Sequence, residues 1–315
     1  MLYRRLGQTG LKVSEISLGS WLTYGNGVQD DTAERTIDQA YELGINFFDT
    51  ANVYNRGEAE KVVGKALKKY DRSSYVLATK VFFPMGDGPN DRGLSRKHVT
   101  EQLNASLRRL GLEYVDILYT HRYDPDTPVH ETLRAIDDLI RQGKVLYAGV
   151  SEWSAAQIEE AVRVADRHLL DRIVVNQPQY SILHRNIENE ILPVSQKHGI
   201  GQVVFSPLAQ GLLTGKYKTL NDVPADSRAA SDKMNRFIGR WFNEATFEKL
   251  GRLRKIADEL GIPMAQMALA WVLRQEGVSS ALIGASRPEQ VVQNAKASGT
   301  ALDFDTLDAI DEALA

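Results

Sequence analysis

The 315-residue chain contains no cysteine, which removes disulfides, thiolate metal sites and a cysteine nucleophile at once. Charge of one sign is missing too. Its 38 basic residues face 41 acidic ones, leaving a net charge of -3 mixed along the chain, so no field gathers polyanions and no nucleic-acid partner is implied. No window approaches the roughly 18 uninterrupted apolar residues of a membrane span, and mean hydropathy is -0.31; no membrane association is expected. Met1-Leu2-Tyr3-Arg4-Arg5 leads into polar, strand-like sequence rather than the apolar stretch of a secretory signal, so a cytoplasmic location is expected. There is no Pro- or Ser-rich linker, low-complexity segment or short-period repeat. His130-Glu131 continues as Thr132-Leu133-Arg134 and lacks the second His of a zinc-binding helix. The Gly-x-Ser-x-Gly elbow of a serine hydrolase and phosphate-loop signatures are also absent. No metal site is expected.

What is present is an alternation of short apolar, β-branched or aromatic runs with longer amphipathic stretches, the pattern of strand-helix units around a parallel sheet. Eight strands are predicted: Glu15–Ser20, Asn46–Thr50, Tyr75–Lys80, Tyr114–His121, Val145–Ser151, Ile173–Gln179, Gln202–Pro207 and Ser280–Ser286. Between them apolar residues recur at helical spacing, as in Val62, Val63, Ala66 and Leu67, or Val99, Leu103, Leu107 and Leu110. The same spacing joins Leu133, Ile136 and Ile140; Ile158, Ala161, Val162 and Ala165; and Met264, Met267, Ala268 and Trp271. Gly44, Gly111, Gly143, Gly199 and Gly261 stand where left-handed helix stops belong. These features predict an α/β fold, a (β/α)8 TIM barrel occupying residues 1–315 as one domain, since such barrels commonly run to about 250 residues and more with insertions. Tyr3–Leu6 and Lys12–Val13 around Thr9-Gly10 predict a short N-terminal β-hairpin that plugs the barrel's bottom. Lys218–Ala245, with Pro224, Arg228, Arg236 and Arg240, is an extended polar loop after the seventh strand, of the length that is usually functional or disordered.

In such a barrel the active site lies at the carboxyl ends of the strands. Those ends carry Asp49, Lys80, His121, Ser151, Asn176 and Gln177, Ser206, and Gly284 and Ser286. Each has an ordinary structural reading taken singly, as a loop cap or a solvated strand end. Asp49, Lys80 and His121 end three consecutive strands and so become neighbours, and Tyr54 in the loop after Asp49 reaches the same space. Their reference pKa values, about 10 for Tyr and about 10.4 for Lys, suggest the chemistry. An ammonium beside the phenol lowers its pKa toward that of a working proton donor, and a carboxylate keeps the ammonium charged and oriented. An imidazole then hydrogen-bonds a substrate oxygen on which negative charge develops. Such a set suits reduction of a carbonyl.

Several separated motifs, in order, resemble the aldo-keto reductase superfamily over nearly the whole chain. They are Gly44-Ile45-Asn46-Phe47-Phe48-Asp49-Thr50-Ala51 with Tyr54, Gly93-Leu94-Ser95-Arg96-Lys97-His98, and Leu112-Glu113-Tyr114-Val115-Asp116. Ser206-Pro207-Leu208-Ala209 with Gly211, Gly215-Lys216-Tyr217 and Gly284-Ala285-Ser286 continue the series. The branch that resembles it most includes the voltage-gated potassium channel β subunits and their bacterial relatives. The resemblance implies a catalytic tetrad of Asp49, Tyr54, Lys80 and His121, with Tyr54 as proton donor. In channel β subunits the His position is commonly Asn, so His121 points to ordinary catalytic competence.

The resemblance further implies NADPH (NADP+) bound without a Gly-x-Gly-x-x-Gly motif, which this chain indeed lacks. Ser151, Asn176 and Gln177 would hold the carboxamide, with Ser20, Trp21, Asp49 and Phe205 near the nicotinamide. Ser206, Pro207, Leu208, Ala209, Gly211 and Lys216 would line the pyrophosphate under a loop carrying Arg228. Gly284, Ser286, Arg287, Gln290 and Asn294 would surround the adenosine end. Arg287 and Ser286 offer a 2′-phosphate a cation and helix-end donors, favouring NADPH over NADH, although Gln290 stands where many relatives carry Arg. The substrate, a small-molecule carbonyl compound, would meet Tyr54 and His121 between Trp21, Tyr24, Phe82, Phe83 and Tyr123, with Trp153 and Trp241 on the far side. A second reading is a redox-coupled, cofactor-binding regulatory subunit of a partner protein. Monomer and homo-oligomer both remain open.

Overall fold

The computed structural model describes residues 1–21, 24, 30–224, 227–230 and 238–314. Ten strands occur there. β1 (Tyr3–Arg5) and β2 (Lys12–Ser14) form an antiparallel hairpin, with Tyr3 opposite Ser14. The rest are β3 (Ile16–Gly19), β4 (Phe47–Asp49), β5 (Val76–Val81), β6 (Val115–Thr120), β7 (Val145–Ser151), β8 (Ile173–Gln177), β9 (Gly201–Phe205) and β10 (Val278–Gly284). These eight pair in parallel, each with the next, and β10 returns to β3 to close a barrel. All eight expected strands are found. β8 and β9 stop two residues short of their expected bounds, because Pro178 and Pro207 follow closely and proline has no N–H for a ladder, and β10 lies two residues earlier than expected, at Val278–Gly284 rather than 280–286.

Helices α1 (Asp30–Glu42), α2 (Glu58–Leu67), α3 (Arg96–Leu110), α4 (Val129–Arg141), α5 (Ala155–His168) and α6 (Ile191–Lys197) fill the first connections. α7 (Glu244–Glu259) and α8 (Met264–Leu273) lie between β9 and β10, and α9 (Pro288–Ala295) and α10 (Phe304–Leu314) follow. The five glycines expected at helix stops all take left-handed φ values, from 68° to 82°. Ser154 caps α5 with a reciprocal bond to Gln157. Among the described residues no single helix is long and apolar enough to cross a membrane.

The barrel strands are buried on both sides, and their period-two alternation separates two cores. Phe47, Val76, Ala78, Ile117, Tyr119, Val175 and Val203 fill the interior. Phe48, Leu77, Leu118, Val150, Val204 and Ile283 pack outward beneath the helices. The interior cluster is completed by Leu6 and Val13, both wholly buried, so the hairpin plugs one end. Gly7 makes this possible: a Cβ there would stand 2.3 Å from the Gly199 carbonyl oxygen and 2.7 Å from the Gly201 nitrogen. The polar groups are left at the other end.

Candidate active site

Asp49 closes β4, Lys80 sits near the end of β5, and His121 follows β6 directly. The registers pair Asp49 with Ala78 and Lys80 with Tyr119, which brings these ends to one rim. The Lys80 ammonium forms an ion pair with Asp49 Oδ1 and donates to the Thr50 carbonyl at 2.9 Å. Both side chains are shut off from water, at 0% and 1% exposed. Gln177 Nε2 donates to the other Asp49 oxygen at 2.9 Å. Burial pushes Asp49 up and Lys80 down, and each pulls the other back toward its charged form.

Tyr54 enters from the loop after β4, on a single turn over Tyr54–Gly57. Asn55, Arg56 and Gly57 are all left-handed, with φ of 46°, 55° and 94°, a conformation that costs two non-glycine residues energy and fixes where the loop turns into α2. α2 is anchored in turn by Glu60, wholly buried, which accepts from Thr79 Oγ1 at 2.6 Å and Arg109 Nε at 2.5 Å. Thr79 is the residue before Lys80. One buried carboxylate thus locks the Tyr54 loop to the strand that carries Lys80.

The Tyr54 ring meets the His121 ring edge-on at 5.6 Å between centres, and Lys80 Nζ lies 5.1 Å from the Tyr54 ring centre. The expectation that the ammonium lowers the Tyr54 pKa is reversed. Desolvation, then the Asp49 carboxylate, push the phenol well above its ordinary value, with Arg122 the one opposing influence. The Lys80 ammonium, bound to its own carboxylate 5.1 Å from the ring centre, does not outweigh these two influences while the phenol is neutral. Tyr54 is therefore held as a proton-bearing phenol. His121 is driven the other way: burial, Lys80 and Arg122 all push its pKa well below 6.5, keeping the imidazole neutral. Its Nδ1 is buried with no hydrogen-bond partner among the described residues.

The residues expected around a dinucleotide occupy the same rim. Ser20 is buried and donates to Thr50 Oγ1 at 2.9 Å, and Trp21 beside it is half-buried. Ser151 Oγ donates to the Gln177 carbonyl at 2.9 Å, so the Ser151 hydroxyl and the Gln177 amide both already have protein partners. Asn176 differs. Its Nδ2 donates to Gln202 at 3.1 Å while its buried Oδ1 has no partner among the described residues, an acceptor that a carboxamide N–H would satisfy. Beyond the half-buried Phe205 and Pro207-Leu208, the chain turns left-handed at Ser206, Ala209, Gln210 and Gly211, with φ of 54°, 46°, 60° and 102°. The N–H groups of Ala209 and Gly211 close tight turns onto the Ser206 and Leu208 carbonyls, both at 2.9 Å, and fix the shape of the loop. Lys216 is exposed, with its chain end against Gly211. At the β10 end Gly284 pairs with Gly19, Ser286 N donates to Gln290 at 2.8 Å, Arg287 is exposed as the N-cap of α9, and Asn294 is buried. The residues present fit a nicotinamide dinucleotide. Arg236 and the side chains of Arg228 and Arg240 lie outside the described residues.

Aromatic rings surround the tetrad. Phe82 and Phe83 pack edge-on at 5.2 Å, Phe83 meets His121 at 4.9 Å, and Tyr123 meets Trp153 at 5.0 Å. Tyr24 and Trp153 are 3% and 1% exposed and pack in the core, Trp153 against Tyr123. Trp241 instead lines a cavity of about 320 Å³ with Leu183, Lys249 and Leu314, which contains no tetrad member. Arg122 was not anticipated. Its Nη1 donates to the His121 carbonyl at 2.5 Å and its guanidinium carbon lies 5.6 Å from the Phe83 ring centre. Its position immediately after a strand-end histidine was the available signal.

This buried Asp-Lys pair beside a phenol and an imidazole, at the mouth of a parallel barrel, agrees with what comparison of the whole sequence finds. The family model described as "Aldo/keto reductase family" matches residues 15–315. The chain belongs to the aldo/keto reductase family. Within that family it is 47% identical over 303 residues to a putative voltage-gated potassium channel subunit beta of Schizosaccharomyces pombe, covering 94% of this chain and 87% of that one. Proteins of Arabidopsis thaliana and of Oryza sativa subsp. japonica, each a probable voltage-gated potassium channel subunit beta, are 45% identical over 300 residues, covering 94% of this chain and 91% of theirs.

Proposed function

We propose that this chain reduces aldehydes and ketones to alcohols with NADPH, using Tyr54 as the general acid. The observation that carries the reading is the water-free Asp49–Lys80 pair set beside a protonated phenol and a neutral imidazole. Bound NADPH supplies the hydride for the carbonyl carbon. Tyr54 donates its proton to the carbonyl oxygen as negative charge grows there. His121, neutral and edge-on to Tyr54, donates a hydrogen bond to the same oxygen without competing as an acid. Once the proton has left, Lys80 stands 5.1 Å from a ring that now bears charge, and its attraction for the phenolate is strong where water is excluded. Asp49 keeps Lys80 charged and aimed for that moment.

The test follows NADPH absorbance with aromatic, aliphatic and dicarbonyl substrates. Tyr54→Phe should lower kcat by about 10²- to 10⁴-fold, the usual range for losing a general acid, while NADPH still quenches tryptophan fluorescence. Turnover equal to the wild type would remove Tyr54 from the role. Arg287, exposed at the N-cap of α9, supports NADPH over NADH as the donor of a charge-assisted bond to a 2′-phosphate. Arg287→Ala should raise KM for NADPH about tenfold and leave KM for NADH nearly unchanged. Equal shifts for both would refute that preference.

The names of the relatives favour a second reading, a cofactor-binding subunit that reports redox state to a partner protein. Tight NADPH binding with no turnover across the whole carbonyl panel would select it.

A further inference from the structure

Arg122 touches no reacting atom in the carbonyl chemistry above, yet it stands beside the groups that would perform it. It is half-buried, its Nη1 is tied to the His121 carbonyl, and the Phe83 ring stands near both its guanidinium and the His121 ring. Most half-buried arginines hold a carboxylate, as Arg4 does Glu15, Arg72 Asp116, Arg109 Glu60 and Arg185 Glu188, while Arg254, in α7 after β9, is spent on the carbonyls of Gly215 and Tyr217. Arg122 forms no ion pair among the described residues. Asp124 and Glu152, in the loops after β6 and β7, are engaged elsewhere. Asp124 accepts from Leu94 N at 2.7 Å, Thr127 Oγ1 at 2.8 Å and Asp126 N at 3.1 Å, and Glu152 accepts from Gln179 N at 2.7 Å. Lys80 is already matched by Asp49. Among the described residues the aromatic side of the site therefore carries a partly desolvated cation with no carboxylate of its own, whose guanidinium retains donors suited to two oxygens at once.

We infer that Arg122 binds a carboxylate or phosphate of the substrate, so that the preferred substrates are aldehydes or ketones bearing an anionic group. The inference rests on the carbonyl-reductase reading and names its substrate class. The rings of Phe82 and Phe83 would cover the carbon skeleton between the anion and the carbonyl.

The test pairs 4-carboxybenzaldehyde with its neutral methyl ester, and 4-formylphenyl phosphate with 4-methoxybenzaldehyde, using the full chain with NADPH. The readout is the ratio of kcat/KM within each pair, so a general loss shared by both members cancels. The wild type should favour the anion about tenfold or more, as one charge-assisted pair allows; Arg122→Leu should bring the ratio near one, and Arg122→Lys should keep part of it. If the leucine variant does not fold, Arg122→Gln, which retains a donor for the His121 carbonyl, replaces it. Calorimetric binding of benzoate against benzamide gives a second readout that needs no turnover. Reduction of both members with a ratio indifferent to Arg122 overturns the inference and leaves the reductase reading standing. Arg122-dependent benzoate binding with no reduction of any aldehyde does the reverse. Neither reduction nor Arg122-dependent binding removes both.

Discussion

Among the groups at the rim, His121 is the one whose ordinary titration lies near physiological pH, and burial, Lys80 and Arg122 all push it downward. In the unfolded chain the same ring takes up a proton below about pH 6.5. Between that pH and its lower folded value the unfolded state binds the extra proton, so native stability falls as the pH falls, by up to about 1.4 kcal/mol per pH unit. His121→Asn removes this dependence. Urea midpoints measured from pH 7 to pH 5 should decline less steeply in the variant, and His98, present in both proteins, cancels from the comparison. Equal slopes would mean that the native ring titrates as it does in the unfolded chain, and that burial and its cationic neighbours do not hold it neutral. Asp49, Lys80 and His121 were legible in the sequence because each ends an apolar run. The direction of the Tyr54 shift was not, since it depends on how much water the folded chain excludes and on how closely the Asp49 carboxylate stands. Arg122 stayed hidden for a related reason: an arginine's lack of a carboxylate is a property of the folded neighbourhood.

At the level of elements, periodicity located the strands and helices, and backbone chemistry shortened two strands before Pro178 and Pro207 while the last strand lies two residues earlier than expected. The close approaches between elements left no such trace, and two helical glycines illustrate this. Replacing a glycine by alanine inside a helix is worth about 1 kcal/mol from propensity alone. Gly251 in α7 has nothing within 4 Å of a Cβ placed on it, so Gly251→Ala should stabilise the protein by about 0.5–1 kcal/mol. Gly64 in α2 faces the Leu110 backbone at the end of α3, where an added Cβ would stand 2.3 Å from the carbonyl oxygen. Backbone cannot swing aside as a side chain can, so an overpacking cost of about 1–3 kcal/mol or more outweighs the propensity gain, and Gly64→Ala should destabilise. Urea unfolding of the two variants checks the opposite signs. A stabilised Gly64→Ala would show that α2 and α3 can separate freely. Because α2 carries Glu60, which holds the Tyr54 loop against β5, the same variant is also expected to lower kcat.

For the molecule as a whole, the barrel divides its work between two ends. One end is closed by the hairpin, where Leu6 and Val13 enter the interior cluster without any exposure; Arg4 also ties β1 to the end of α8 and the start of β10, donating to the carbonyls of Leu273 at 2.7 Å and Val278 at 2.9 Å. The other end carries the buried ion pair, the two titratable rings and the left-handed loop. In barrels of this architecture the lower face serves stability and the upper face chemistry, and here the packed layers of Phe47, Val76, Ala78, Ile117 and Tyr119 stand between them. Leu6→Ala tests that division. Truncating a fully buried leucine typically costs about 2–5 kcal/mol, depending on how far the surroundings collapse into the space. The unfolding midpoint should drop accordingly, while kcat/KM for an aldehyde, measured on the folded protein well below that midpoint, should stay within about twofold of the wild type if the rigid interior transmits little of the rearrangement. Tyr54→Phe should show the converse, a lost rate with a midpoint little changed. A Leu6→Ala protein that folds yet loses most of its activity would show that the plug sets the geometry of the rim, and that the two ends are one mechanical unit.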